Sequence, residues 1–476
     1  MADKVTRRQL LKLGAAALGG VLVGCTPEVV KETVIVKETV PVEKVVEQVV
    51  KETVVVEKEV KVTQVVEKVV TATPVVQKVT VRFMIWGGDA EKNAWNARYE
   101  IFKEKHPDIL VATMYPPGNY QEKLTAMIAS GTAPDVFVPN HIRLDVPRGI
   151  LLPLDAYIEA DPDFDPDDFI PGTLDRGKYQ GVQYAIPGGL GPQILFWNVD
   201  YFKEAGLENP NELYAKGQWT PEKFLEYAQK LTKKEGDTYT VFGYMFYGLE
   251  QMQFLYQMNA PHFDHPNYTK CLFDDSTKAV WQWAADLINV HHVSPLPEEV
   301  GAFGSWAGFR DGKYGMFISG PWQQARLAPS KFHWDIAWPF VANDGVPCMQ
   351  AGLGGSSVYA LTKLPWESYL WAANCESKEG QGIWAGLGFD IPSRQSLIPK
   401  YTSGELFTYP AAMPDSVGMW YEVAAVAKPQ FNGWVLPQTN TVVNAAWGLV
   451  KSGEKTAVEA IDEQFIKDVN ATMTGV

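Results

Sequence analysis

The chain is short of cysteine, of histidine and of positive charge, and each shortage removes a class of protein. Four cysteines occur in 476 residues. Beyond Cys25 there remain Cys271, Cys348 and Cys375, an odd number whose spacing matches no zinc module. Neither a disulfide framework nor a structural zinc is therefore expected to organise the fold, and no cofactor is expected. Acidic residues outnumber basic ones, 56 to 42, for a formal charge of -14, which argues against nucleic acid as a partner. His262-Phe263-Asp264-His265 has the residue types of a metal site, but prolines flank it and a surface loop accounts for it better. Catalytic signatures are missing too: there is no Gly-x-Ser-x-Gly elbow and no His-Glu-x-x-His. No local pattern singles out a carboxylate pair for glycoside hydrolysis, so no enzyme is expected.

What is present begins with an address. Thr6-Arg7-Arg8-Gln9-Leu10-Leu11-Lys12 is a twin-arginine pattern, and the apolar run over residues 13–23 is short for a permanent span but suits a signal-peptide core. It ends in Leu22-Val23-Gly24-Cys25, which resembles a lipobox. Residues 1–24 are thus expected to be a twin-arginine lipoprotein signal peptide, with Cys25 diacylated and held on the outer face of the cell membrane. Stable anchoring needs more than one acyl chain, which such a cysteine supplies.

Residues 25–76 are expected to be a spacer. From 29 to 70 the composition collapses to Val, Glu, Lys and Thr, and Val29-Val30-Lys31-Glu32-Thr33-Val34 recurs as Val49-Val50-Lys51-Glu52-Thr53-Val54. A seven-residue series (Ile35, Val42, Val49, Val56) hints at a coiled coil, but Pro41 interrupts it and β-branched residues favour extended chain. An extended spacer, a coiled coil and an oligomerising stalk all stay open.

From Val79 the pattern is α/β. Val79 to Trp86 reads as a buried strand stopping at Gly87-Gly88, followed by a helix from Glu91 to Lys105, a strand over Ile109–Met114, a helix from Tyr120 to Ser130 and a strand over 134–138. Alternating strands and helices call for a mostly parallel sheet, whose ligands bind beyond the carboxyl ends of strands. That places Trp86 to Asp89 and Pro139 to His141 at a site.

The chain then presents, in order, Ala133-Pro134-Asp135-Val136, Gly149-Ile150-Leu151-Leu152-Pro153-Leu154-Asp155, Gly181-Val182-Gln183-Tyr184-Ala185-Ile186-Pro187 and Leu195-Phe196-Trp197-Asn198-Val199-Asp200-Tyr201-Phe202. Trp219-Thr220-Pro221-Glu222-Lys223-Phe224 follows, then Gly312-Lys313-Tyr314-Gly315-Met316-Phe317-Ile318-Ser319-Gly320-Pro321-Trp322, Ile391-Pro392-Ser393-Arg394, and a closing helix around 456–470. In this order they resemble the extracellular sugar-binding proteins of ABC importers, the family that includes maltose-binding protein. The resemblance covers about residues 79–473.

It implies a two-lobed periplasmic-binding-protein fold with a ligand cleft between lobes joined by crossover segments. The lobes are expected to divide as 77–190 and 353–398 for the N-terminal one, and 191–352 and 399–476 for the C-terminal one. Crossings are expected near 189–193, 352–356 and 397–405. The glycine-rich stretches at 188–191 and 352–355 lie at the first two, where close backbone approach, hinge rotation and a tight turn are all open readings. Neither is a P-loop, because no Gly-Lys-Ser/Thr follows.

The implied function is capture of an extracellular sugar by lobe closure and its delivery to a membrane permease. A glycerol phosphate or other polar solute, or a polysaccharide-active enzyme, is the alternative. Sugars need flat aromatic platforms and hydroxyl-pairing side chains, and the chain has 16 Trp. Trp322, in the Ser-Gly-Pro-Trp turn, is the strongest candidate. Trp86, Asp89, Asn140 and His141 follow from the strand ends. Tyr247 and Glu250 follow from the resemblance, Trp306, Gly354, Trp384 and Asn440 from their places at the expected helices and crossings, and Arg394 because a loop arginine can fork onto two hydroxyls or a carboxylate. The tryptophan and acid that maltose-binding protein carries in the loop after the third strand are missing here, which counts against a maltose-type ligand.

Overall fold

The computed structural model describes residues 78–473, apart from 140, 247–249, 265–268, 305, 351–354, 410, 412 and 430–436. The leader, Cys25 and the repeat segment lie outside the described residues, as do Asn140, Tyr247 and Gly354.

Two sheets organise the described chain. In the first, Val79–Met84 runs parallel to Ile109–Met114 in register from Val79 opposite Ile109 to Met84 opposite Met114. Val136–Phe137 lies parallel on its other side, and Ser357–Val358 closes that edge antiparallel. Val81 and Phe83 point into a core with Trp95 and Phe102 from the helix Asp89–Lys105 and with Tyr369 and Trp371 from the helix Pro365–Cys375. The second sheet has the order Trp334–Ala337, Ile194–Asn198, Tyr314–Ser319, Thr238–Met245, Lys233–Glu235. Every residue of Ile194–Asn198 and of Tyr314–Ser319 is buried, as a central strand covered on both faces requires.

Two elements depart from the sequence expectation. The block Leu195 to Phe202, which reads from the sequence as one crossover strand, is strand only as far as Asn198, whose side chain accepts from Tyr201 N at 3.0 Å and caps the helix Val199–Glu204. The closing helix divides into Ala457–Ala460 and Glu463–Met473. Asp462 causes the break by capping the second piece, accepting from Phe465 N at 2.8 Å.

The passes of chain between the two sheets lie against one another. Ile186 bridges Ser356 and Leu190 bridges Ile391, while Tyr401, after the short helical turn Gln395–Leu397, enters the core of the second sheet. These passes explain two glycines. A Cβ on Gly189 would meet Ile391 O at 2.4 Å, and one on Gly355 would meet Ile186 O at 2.0 Å. Neither has a positive φ, so close approach rather than a tight turn is what they serve. Gly355→Ala is expected to lower stability by about 2–3 kcal/mol through overpacking against backbone. Gly448→Ala, in an open helical position, is expected to raise it by about 0.5–1 kcal/mol. Denaturant unfolding of the two variants checks the contrast.

Candidate ligand site

The carboxyl ends of Val79–Met84 and Val136–Phe137 are bolted together by one side chain. Tyr120 begins the helix Tyr120–Ala129, which Asn119 caps by accepting from Gln121 N at 3.0 Å. Its hydroxyl donates toward Val138 O at 3.1 Å and Met84 O at 3.3 Å, and accepts from Val138 N at 3.1 Å. Burial raises the pKa of this phenol, so it stays a neutral donor.

On the edge of that ring stands Trp86, 4.9 Å away between centroids at 86°. Trp86 is 47% exposed, whereas Trp219, Trp281, Trp371 and Trp420 are fully buried. An indole propped on Tyr120 and half exposed at the end of a parallel strand has the form of a stacking platform. Gly87 follows with φ 146°, a backbone conformation that requires glycine, and a Cβ there would also meet Glu91 Cβ at 2.6 Å. Asp89 opens the next helix, with its side chain 98% exposed and 3.1 Å from Lys92 Nζ. It is both a helix-terminal acid and an accessible acceptor. His141 is buried at the start of the turn Ile142–Asp145, and its amide donates to Asp145 Oδ2 at 3.4 Å.

Trp322 lies at the end of the other sheet's central strand Tyr314–Ser319. Its six-membered ring covers Gly320 so closely that a Cβ there would meet it at 2.2 Å. The ring is half-buried, and Gln323 and Gln324, which follow it in the chain, are buried. Gln323 donates to Ser319 Oγ at 3.1 Å, and Gln324 accepts from Trp420 Nε1 at 3.1 Å. The segments carrying Asp89 and Trp322 meet directly: Arg326 Nη2 donates to Glu91 Oε1 at 3.1 Å.

The structure does not bring all the expected residues together. Trp384 packs into the first core, 5.0 Å from Trp95 and 4.8 Å from Phe389, with the Arg98 guanidinium 4.8 Å over its ring. Arg394 is 3% exposed, and the expectation that it forks onto a ligand is corrected by its contacts. Nε and Nη2 donate to Glu376 O at 3.0 and 2.8 Å, Nη1 donates to Asp165 O at 2.6 Å, and the guanidinium lies 3.6 Å over Phe169. It straps a loop to the first lobe. Asn440 is half-buried near the start of the helix Pro437–Lys451. Glu250 and Trp306 begin the helices Glu250–Gln257 and Trp306–Arg310; their side chains lie outside the described residues. A groove of about 380 Å³ on the second lobe, between Tyr214, Trp338 and Glu422, contains none of the expected residues.

Reading the sequence missed Tyr120, Glu91 and Arg326. Glu91 carried a usable signal, a glutamate three residues into a helix that starts after glycines, which fits the reciprocal half of a capping box. Arg326 carried none.

An ionisable cluster sits beside the passes between the lobes. Burial pushes the Asp390 carboxyl from its ordinary 3.8 up to about 8, with Glu376 adding and Arg176 and Arg98 opposing. Burial likewise lifts Glu376 from 4.5 to about 7 against Arg98 and Arg394. Both folded values lie above the unfolded ones, so between them the folded chain keeps protons that the unfolded chain has released. Stability from this pair is therefore full at low pH and falls as pH rises toward 8. Asp390→Asn is expected to flatten the decline in melting temperature between pH 5 and pH 8; a slope equal to that of the unchanged protein contradicts the assignment.

Two α/β lobes with chain passes packed side by side define the fold of the two-lobed periplasmic solute-binding proteins. The profile of the bacterial extracellular solute-binding proteins matches residues 97–414, and the chain belongs to that family. Among curated relatives, the arabinooligosaccharide-binding protein of Halalkalibacterium halodurans is 25% identical over 315 residues, 63% of this chain and 66% of that protein. The arabinooligosaccharide-binding protein of Bacillus subtilis is 24% identical over 394 residues, 77% of this chain and 85% of that protein. An ABC substrate-binding protein from Listeria monocytogenes, solved with cycloalternan, shares the fold at a TM-score of 0.71 and 21% identity, covering 83% of this chain and 99% of that one. Family membership places the protein outside the cytoplasm. Among the described residues no helix is long and apolar enough to cross a membrane.

Proposed function

We propose that the protein captures an oligosaccharide, with arabinose-containing oligosaccharides the first choice, and delivers it to the permease of an ABC importer. The observation that carries this reading is the exposed indole of Trp86, propped by Tyr120 on one lobe, with Trp322 on a rigid turn of the other. A sugar ring offers weakly apolar faces to such platforms and hydroxyls to acceptors such as Asp89. Contacts supplied from both lobes are complete only when the lobes are shut, which makes the ligand favour closure. The names of the two curated relatives support the pentose oligosaccharide over a maltose-type ligand. The chain acts as a binder, not as an enzyme, and Cys25 tethers it by lipid to the outer face of the cell membrane.

Thermal shift of the full chain against arabinooligosaccharides, maltooligosaccharides, glycerophosphodiesters and polyamines tests the class. A ligand at a hundred times its Kd stabilises by about 2.7 kcal/mol, so a clear rise is expected with an oligosaccharide; a rise with phosphodiesters or polyamines and with no sugar refutes the assignment. For the sugar that scores, Trp86→Ala and Trp322→Ala are each expected to weaken binding by about tenfold or more, roughly 1.4 kcal/mol, in titration calorimetry. Trp86→Ala should leave the melting temperature nearly unchanged, because its ring is half in solvent. Cys25→Ala is expected to release the protein from the membrane fraction in cells; retention there argues against the lipid anchor.

A further inference from the structure

Glu91 uses its two carboxylate oxygens on different lobes. Oε2 accepts from Gly88 N at 2.9 Å, inside the turn that carries Trp86 and Asp89. Oε1 accepts from Arg326 Nη2 at 3.1 Å, on the helix Gln323–Leu327 that follows Trp322. Arg326 is 28% and Glu91 13% exposed. Eleven other ion pairs join groups within one lobe, and each has a partner at least 41% exposed. A shielded pair is weakened less by water and salt than an exposed one. From the neighbouring residue, Ala325 N donates to Gly388 O at 3.1 Å, a tie from the same helix to the chain after the helix Lys378–Gly386.

We propose that Glu91 is a positioning residue for ligand capture, making the shape of the Trp86–Asp89 turn and the approach of the two lobes depend on each other. With Arg326 in place, the carboxylate is held where it fixes Gly88. When the lobes part, the carboxylate loses its cation and the turn loses its brace. The inference rests on Trp86 and Trp322 being the ligand platforms. Its mechanical part is testable without any ligand, so it can fail independently of the carbohydrate reading.

The test uses single-molecule energy transfer in the ligand-free full chain. Dyes are placed on Glu104→Cys in the first lobe and Gln229→Cys in the second, both exposed positions, in a Cys25→Ser background. Cys271, Cys348 and Cys375 are buried and escape labelling. Glu91→Gln keeps an acceptor for Gly88 N and removes the charge; Arg326→Gln removes the cation. Each is expected to lower the ratio of closed to open molecules by about three- to tenfold, and the double variant no further than either alone. Arg326→Lys should recover part of the loss. Unshifted distributions in both single variants, shifts toward closure, or losses that add in the double variant overturn the proposal.

Discussion

The constraint on which this architecture depends is the close approach of backbone where the chain passes between its two sheets. At Ile186 and Ser356, and at Leu190 and Ile391, the passes lie at bridge distance, and Gly189 and Gly355 leave no room for a side chain between them. Packing two passes this closely limits how the lobes move. Backbone bridges resist sliding, while a narrow ribbon of chain still bends, so rotation of one lobe on the other is the motion the seam permits. Buried charge collects at the same place, with Asp390 against Gly189 and Arg176 and Arg98 nearby.

The site follows from what the seam leaves free. Each lobe mounts one tryptophan just beyond a strand, Trp86 after Val79–Met84 and Trp322 after Tyr314–Ser319, by different means. Trp86 is propped from the side by the ring of Tyr120, whose hydroxyl ties the two strand ends together. Trp322 lies against the bare Cα of Gly320. As the proposed platforms, rings held by such contacts before a ligand arrives would reduce the entropy that binding must overcome. The ion pair between Glu91 and Arg326 joins the segments that carry Trp86 and Trp322, although its partners are 235 residues apart in sequence.

Much of the fold was legible because buried parallel strands write themselves as short apolar runs, and Ile109–Met114 stands where the pattern placed it. The misplaced boundaries came from single polar side chains: Asn198 and Asp462 end one element and begin another by capping, and hydropathy does not weigh caps. Trp86 and Asp89 were legible as strand-end residues. Trp384 and Arg394 show the limit of that reasoning. An arginine in a loop and a tryptophan on a late helix look alike in sequence whether they meet a ligand, strap backbone carbonyls or fill a core, because the deciding partners, Glu376 O and Trp95, are set by the fold. Tyr120 was hidden for the same reason.

The claim that most needs a direct measurement is that two lobes capture an intact oligosaccharide. Native mass spectrometry of the protein incubated with a mixed pool of arabinooligosaccharides, followed over hours, addresses binding and turnover together. The account predicts a one-to-one complex with an intact oligosaccharide and an unchanged pool in solution. Shortened oligosaccharides, or a protein that stays unliganded across the pool, would contradict it.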